Sequence, residues 1–310
     1  MELSNNIFFL PVCFFALYLI LEAQDIGLCL SAPFIAKNKA ESKAVLGLLR
    51  PGADGNEIWL IAGLSSISLI LNGVLFGFSG MVLFLLAIII LSALLRLVGA
   101  LWADKFDSAM MIKLSGITAF VNIGAVTSII LSVIDESAFS VNGIFSTIWL
   151  TCSFFQIGTL YGALKMTNPL GERFRAASLV SSLFSLATFI IFTVVWYIFI
   201  ESRMDVDMFF WGLVASALIF SVISFAATRT RNVGAGVICT YLAQLCAAAV
   251  YLLGIEGILS AIRPGIIGMG ADGYGAEINV IIGIAAVCSA AAFAWRMLRH
   301  KETYEWKDHI

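Results

Sequence analysis

The sequence has little charge for its length. Lys, Arg, Asp and Glu make up 12% of its 310 residues, whereas hydrophobic residues make up 61% and the mean hydropathy is +1.00. A soluble domain carries about 25% charged residues, so this composition excludes a soluble globular protein. The net charge of −2 says little about partners, because the basic residues set the topology, and we expect no nucleic-acid partner.

Histidine is nearly absent, which limits the chemistry that this chain can perform alone. The two histidines, His300 and His309, both follow the last apolar segment. No apolar segment can therefore offer a histidine to a haem or a metal within a membrane. The six cysteines occur at no metal-ligand spacing, and we expect reduced thiols that pack as small apolar groups. The sequence thus predicts no haem, metal or other cofactor bound by this chain.

Apolar segments of about twenty residues recur from end to end, each long enough to cross about 30 Å of hydrocarbon as a helix. They predict an all-α polytopic membrane protein with a single membrane domain over residues 1–310. The connection 31–56 contains an amphipathic segment expected to lie along the membrane interface, and 256–278 is predicted to form an irregular cap. The nine predicted transmembrane helices lie near residues 7–30, 57–75, 80–102, 113–134, 143–165, 176–200, 208–228, 235–255 and 279–298.

The basic residues predict an orientation for these helices. With the N-terminus outside, only Arg203 and Arg263 fall in outer loops and Arg96 falls within a span; all the other Lys and Arg fall on the inner side. This is a strong positive-inside bias, and it places the C-terminus in the cytoplasm. No basic residue precedes the first span and no small-residue cleavage site follows it, so we expect an uncleaved anchor.

Ionisable residues within the spans are the candidate functional groups. Glu22 and Asp25 lie three apart near the end of the first span, Asp54 and Glu57 begin the second, and Arg96 lies in the third. Each such group costs roughly 2.5–3.5 kcal/mol to insert, so it is usually kept for ion or proton work. The predicted topology places all five in the cytoplasmic half. We therefore interpret them as one cluster that admits protons, with Arg96 as the charge partner of the acids.

Each of these groups also has a purely structural interpretation. Asp54-Gly-Asn-Glu57 has the spacing of a capping box at a helix start, and Arg96 could extend to the inner headgroups. Glu22 is deeper and has no basic neighbour on its own helix, so we expect a partner on another helix or subunit. The neutral Asn122, Gln156 and Gln244 are expected to form hydrogen bonds between helices.

Five segments together carry a resemblance to a known family. They are Glu22-Ala-Gln-Asp-Ile-Gly27, Asp54-Gly-Asn-Glu-Ile-Trp-Leu60, Leu95-Arg-Leu-Val-Gly99, Gly158-Thr-Leu-Tyr161 and Gly171-Glu-Arg-Phe-Arg175. The first is similar to an acid-Gly-Phe-Asp-Leu-Gly segment, and the second closely matches an Asp-Gly-Asn-Glu-Val-Trp-Leu segment, of subunit II of the cytochrome bd-type quinol oxidases. The third fits that family's arginine in the third span, and the last two fit its middle loop.

The resemblance implies a haem-free subunit II in a heterodimer with a homologous subunit I that carries b-type and d-type haems. Such a pair oxidises quinol and reduces dioxygen to water in the prokaryotic cytoplasmic (inner) membrane. Each subunit would have two four-helix bundles and one peripheral helix. The resemblance does not decide whether a small single-span third subunit is present. Asp54 would match an acid proposed to admit cytoplasmic protons, and Asp25 an acid on a second candidate path.

This chain departs from the family pattern at two places. Ala23 and Gln24 replace the Gly-Phe before the aspartate, and Ala53 replaces a tryptophan that lies near a quinone in some relatives. The resemblance therefore does not extend to a quinone bound in this chain. Two other interpretations of the sequence are a proton-coupled secondary transporter, which would need helices interrupted near the midplane, and a structural anchor subunit of another membrane redox complex.

Overall fold

The structure is a computed structural model that describes residues 9–49, 57–70, 79–101, 107–132, 134, 138–202, 206 and 208–262. These residues form nine α-helices and no strand. Six of the helices (α1 and α5 to α9 below) have the length and apolar composition needed to cross a membrane, as expected for a multi-pass membrane protein. The helices are α1 (Phe9–Ile35), α2 (Lys39–Leu49), α3 (Glu57–Ile70), α4 (Ser79–Leu101), α5 (Ser108–Ser132), α6 (Val141–Lys165), α7 (Leu170–Glu201), α8 (Met208–Arg229) and α9 (Val233–Ile262).

The helices coincide in position with the first eight predicted spans, and α2 lies within the predicted connection 31–56. Some ends differ, because apolarity marks where hydrocarbon ends and a helix can continue into polar surroundings. Helix α7 begins at Leu170, six residues before the predicted boundary, and its first turns carry Glu172, Arg173 and Arg175. Helix α9 continues to Ile262, so the predicted irregular cap at 256–278 is wrong for its first residues. The ninth predicted span, 279–298, lies outside the described residues.

Helix α2 is the amphipathic segment that the sequence predicts after the first span. Its start is capped, because Asn38 Oδ1 accepts a hydrogen bond from the Glu41 amide at 2.8 Å and Glu41 Oε2 accepts one from the Lys37 amide at 2.7 Å. Its apolar side, including Val45 and Leu46, is buried in contacts with α1, α4 and α5. Helix α2 is therefore an integral part of the helix packing and covers the end of α4.

One end of the molecule, which we call the basic end, holds all the described Lys and Arg residues except Arg96. There Arg173 pairs with Glu41 and donates to the carbonyl oxygen of Ile35 at 2.8 Å, and Lys39 pairs with Asp107 at 3.5 Å. Burial raises the pKa of Glu41, but its hydrogen bonds to Arg173 and to the Lys37 amide outweigh burial and hold this pKa below its ordinary value. The basic end comprises Lys37, Lys39, Lys43, Lys113, Lys165, Arg173, Arg175, Arg229 and Arg231.

The contacts between helices fall into two groups. In the first group, α1 packs against α3 and α5, and α4 packs against α5. In the second group, α6 to α9 form a closed ring in which α6 contacts α7 and α9, and α8 contacts α7 and α9. Helix α1 also packs extensively against α6 and touches α9, so it is the element that joins the two groups.

The join between the groups depends on two glycines. Gly27 of α1 and Gly158 of α6 face each other so closely that a Cβ on Gly27 would overlap the Phe154 carbonyl, and one on Gly158 would overlap the backbone of Gly27. Small residues at a crossing let helix backbones approach, which is how helices associate in a membrane without a hydrophobic driving force. Gly158 belongs to the Gly158-Thr-Leu-Tyr161 motif, so this motif has a packing role.

We predict that Gly158→Ala destabilises the protein, because the atoms it would strike belong to the backbone and cannot rotate away. Overpacking of this kind costs about 1–3 kcal/mol or more. The matched control is Gly124→Ala in α5, where nothing lies within 4 Å of an added Cβ; it should be neutral or stabilising by up to about 1 kcal/mol through helix propensity. The measurement is the thermal unfolding midpoint of the purified complex. Equal midpoints for wild type and Gly158→Ala would contradict the proposed crossing.

Candidate functional site

The candidate site is built on one face of α1. Tyr18, Glu22, Asp25 and Cys29 follow each other at spacings of four, three and four residues, which places them along the same side of a helix. Arg96 on α4 meets this face through its contact with Glu22. Glu22 stands at the middle of the 27-residue α1, about 20 Å along the axis from either end. The site therefore lies deep in the helix packing.

Glu22 and Arg96 form a buried ion pair. The contact joins Glu22 Oε1 to Arg96 Nη2, and the two side chains are only 2% and 7% exposed. Asp25, one turn further along α1, is a second acid near this guanidinium. A buried charge without a partner costs several kcal/mol, so this pairing is what permits both groups to remain ionised there. The geometry favours the ion pair over the alternative in which Arg96 extends to the headgroups.

Asp25 is the second acid of the site. It is buried at 3% exposure and lies one turn from Glu22 towards the basic end. The predicted span 7–30 placed Asp25 near the membrane boundary, but α1 continues to Ile35, so ten residues or about 15 Å of helix follow it. Asp25 is therefore well inside α1 and not at its end, and it lies on the basic-end side of Glu22.

The other predicted acids are not placed with this pair by the structure. Asp54 lies outside the described residues. Glu57 is the first residue of α3, and α3 packs against α1, but the position of its side chain also lies outside what the structure describes. The common cluster of five ionisable groups is thus seen for Glu22, Asp25 and Arg96, and it stays a prediction for Asp54 and Glu57.

Two hydrogen bonds beside the acids were not anticipated. Tyr18 donates to Asn122 Oδ1 on α5 at 3.3 Å, and Tyr241 on α9 donates to Gln24 Oε1 at 3.2 Å. The bond to Asn122 confirms that this residue links helices. Gln24 is one of the departures from the family pattern, and its role in a contact with α9 could not be found without knowing that α1 and α9 touch. The four-residue spacing of Tyr18 and Glu22 could have indicated that Tyr18 shares the face of the acids.

The site is closed towards the basic end by side chains of α2 and α5. Gly99 lies one turn after Arg96 on α4, and a Cβ placed there would lie 3.3 Å from Met111, 3.7 Å from the Ser115 hydroxyl and 3.8 Å from Leu46. This layer includes the buried hydroxyl of Ser115. Side chains of α2 and α5 therefore lie between the ion pair and the basic end.

These features define a multi-pass helical membrane protein with a buried acid–arginine site. The sequence profile of the family described as "Cytochrome bd terminal oxidase subunit II" matches residues 3–267. The chain belongs to this family, as the resemblance of its motifs indicates.

A comparison with solved structures gives a chain of the bd oxidase from Geobacillus thermodenitrificans, with a TM-score of 0.67 and 14% sequence identity over 96% of this chain and 98% of that chain. At this identity the likeness shows the shared fold. No curated protein matches the sequence.

We predict that the Glu22–Arg96 pair shows strong coupling in a double-mutant cycle. Arg96→Gln leaves the Glu22 carboxylate buried without its principal counter-charge, and removal of one partner of a buried pair typically costs about 3–5 kcal/mol. The double variant Glu22→Gln/Arg96→Gln carries no buried charge at these positions, so its unfolding midpoint should lie above that of Arg96→Gln alone. The four midpoints, measured on purified complexes, give the coupling. Additive effects of the two substitutions would contradict a direct ion pair.

Proposed function

We propose that this chain is the haem-free subunit II of a cytochrome bd-type terminal oxidase, which couples quinol oxidation to the reduction of dioxygen to water. The observation that supports this most directly is the family match over residues 3–267, in a chain that carries a buried acid–arginine site on α1 and α4. In this proposal the chain supports a haem-bearing subunit I and contributes a route for cytoplasmic protons. No electron passes through a cofactor held by this chain.

The distribution of histidine supports the haem-free role. Haem iron in such proteins needs axial ligands, most often His, and the only histidines here follow residue 299. The b-type and d-type haems would therefore belong to the partner subunit. Since Ala53 replaces the tryptophan associated with a quinone in some relatives, we propose no quinone site in this chain either.

The basic end supports the proposed orientation. By the positive-inside rule it would face the cytoplasm, with the C-terminus there and the N-terminus outside, in the inner membrane of a prokaryote. The two groups of helix contacts support two four-helix bundles joined at α1 and α6, and the predicted span 279–298 would supply the peripheral helix. A small third subunit remains compatible with this arrangement.

The proposed proton route uses the order of the acids along α1. Reduction of dioxygen to water consumes one proton for each electron, so protons must reach a buried site from the cytoplasm. Asp25 lies on the basic-end side of Glu22, and we propose that a proton passes from Asp25 to Glu22 and on to the partner subunit. Asp54 and Glu57 would admit protons at the start of α3. Arg96 would hold Glu22 in place through their ion pair.

The transporter interpretation finds less support. Substrate sites in such proteins are formed by interrupted helices near the midplane. In the part of the chain that the structure describes, α1 and α3 to α9 are continuous, and Pro33 of α1 lies close to its helix end. The structural-anchor interpretation gives no reason for two buried acids beside an arginine. It differs from the proposal in its expectation for variants of these acids, which should keep full oxidase activity if the chain is only an anchor.

We predict that the native chain co-purifies in equal amounts with a second multi-span subunit, and that the complex shows b-type and d-type haem absorption. The same chain expressed alone in a haem-replete cell should be colourless, because its spans offer no His ligand. The measurements are the subunit ratio on a gel and the visible spectrum of each preparation. A Soret band in stoichiometric amount from the isolated chain would refute the haem-free assignment.

We predict that Asp25→Asn, Glu22→Gln and Asp54→Asn slow oxygen consumption per haem while the haem content of the complex is retained. Each substitution removes a group that can carry a proton and keeps the size of the side chain, and Asn caps a helix about as well as Asp. The matched control is Glu172→Gln at the basic end, where the acid pairs with Arg175 on the same helix at 2.8 Å and lies away from the site. Wild-type turnover in all three acid variants would show that these acids are structural.

A further inference from the structure

A second polar region lies in the ring of α6 to α9, separate from the acids on α1. It surrounds a small, partly enclosed cavity with room of about 10 Å³ for the centre of a water molecule, which is about the space that one bound water needs. All four helices contribute to its walls, which also include the rings of Trp149 and Phe189. The polar side chains in these walls are Ser153, Gln156, Ser185, Ser221, Thr240 and Gln244.

The Gln244 amide has more hydrogen-bonding capacity than its protein neighbours satisfy. Gln244 is 2% exposed, its Oε1 accepts from the Ser153 hydroxyl, and its Nε2 has no hydrogen-bond partner among the described residues. If the amide is turned over, Nε2 donates to Ser153 and Oε1 is left instead. In either orientation one polar end of this side chain is buried without a partner, which is unfavourable unless something binds it.

The hydroxyls around the cavity determine what kind of molecule can bind there. Ser221 donates to the Ala217 carbonyl at 2.8 Å, and Thr240 donates to the Gly236 carbonyl at 2.9 Å while it accepts from Gln156 Nε2 at 3.3 Å. The Thr240 hydroxyl also lies 2.5 Å from the Ser224 hydroxyl, so its hydrogen and both of its lone pairs are used within the protein. The Ser221 hydrogen is used as well, but the Ser221 oxygen remains able to accept. A molecule in the cavity must bind Gln244 and also donate to such an oxygen, so it needs both donor and acceptor groups.

We propose that this cavity is a binding site for one internal water molecule, held by Gln244 of α9 and by hydroxyl oxygens of α7 and α8. Water meets the size limit and serves either orientation of the amide, because it donates as well as accepts. A bare cation would find an amide hydrogen in one orientation, and an anion would find few donors. Bound in this way, the water links α9 to α7 and α8, and it satisfies the amide that burial would leave unpaired.

The small residues of this region would not by themselves indicate a ligand. Serines on α7, such as Ser181 and Ser185, are buried and let α6 and α7 pack closely, as small residues do in membrane proteins. Most of their hydroxyls are satisfied by carbonyls of their own helix, as for Ser181 with Ser178 at 3.1 Å. The buried amide of Gln244, together with a cavity of matching size, is what distinguishes this place from ordinary packing.

The test is X-ray radiolytic labelling of the assembled complex in ¹⁸O-water, read by mass spectrometry. Radicals formed from an internal water label the side chains beside it even when these are shielded from bulk solvent. Phe189 lines the cavity, whereas Phe174 does not, and both are buried at 3% and 0% exposure. We expect Phe189 to be labelled several-fold faster than Phe174. Equal, background-level labelling of the two rings would overturn the proposal.

A pair of variants connects the labelling to Gln244. Gln244→Leu removes the amide and should lower the labelling of Phe189 to that of Phe174. Asn122→Leu removes another buried amide, on α5 and outside the cavity, and should leave Phe189 labelled as in wild type. Unchanged labelling in Gln244→Leu would show that Gln244 does not hold the water. If Gln244→Leu does not assemble, a cryo-EM map of the wild-type complex that resolves ordered waters decides, with density in the cavity supporting the site and an empty cavity refuting it.

Discussion

The close approach of α1 and α6 at Gly27 and Gly158 is the contact on which the rest of the packing depends. At this crossing the two backbones touch, so the helices cannot rotate or slide without separating. Gly27 stands only two residues after Asp25, and the crossing therefore sets which face of α1 points towards α4. With Gly27 turned to α6, the face that carries Glu22 meets Arg96. Packing and electrostatics are thus coupled within two turns of one helix.

The ion pair is deep because α1 is surrounded. It contacts α3, α5, α6 and α9, and α2 packs against both α1 and α4. Burial of a carboxylate in such surroundings opposes its charge, while a nearby guanidinium favours it. An exposed pair at the basic end, such as Lys39 with Asp107 at 76% and 50% exposure, is screened by solvent and contributes little. Depth therefore makes each charge of the Glu22–Arg96 pair dependent on the other.

The sequence predicts well where the described helices lie, since twenty apolar residues have few alternatives in a membrane protein, and six of these helices have the length and composition to cross one. It predicts the ends of α7 and α9 less well, because Glu172 and Arg175 are compatible with a helix that has left the hydrocarbon. The acids and Arg96 stand out in the sequence because ionisable groups are costly to place in a membrane. That Glu22 is the partner of Arg96, however, depends on how α1 crosses its neighbours, which the sequence does not give. The hydrogen bond from Tyr241 to Gln24 is harder still to predict from the sequence, because it joins α9 to α1, which are far apart along the chain.

The two groups of helices differ in the kind of polar residue that they bury. The first group contains the charges, Glu22, Asp25 and Arg96, whereas the interior of the second contains neutral amides and hydroxyls such as Gln156, Gln244 and Thr240. Neutral groups cost less to bury and can be satisfied by one another, as in the bond from Gln156 to Thr240, so they specify how helices pack without carrying charge. Since α1 joins the two groups, the second group acts as a stable support against which α1 is held. The polar contacts of that support carry no charge, so they do not themselves change with protonation.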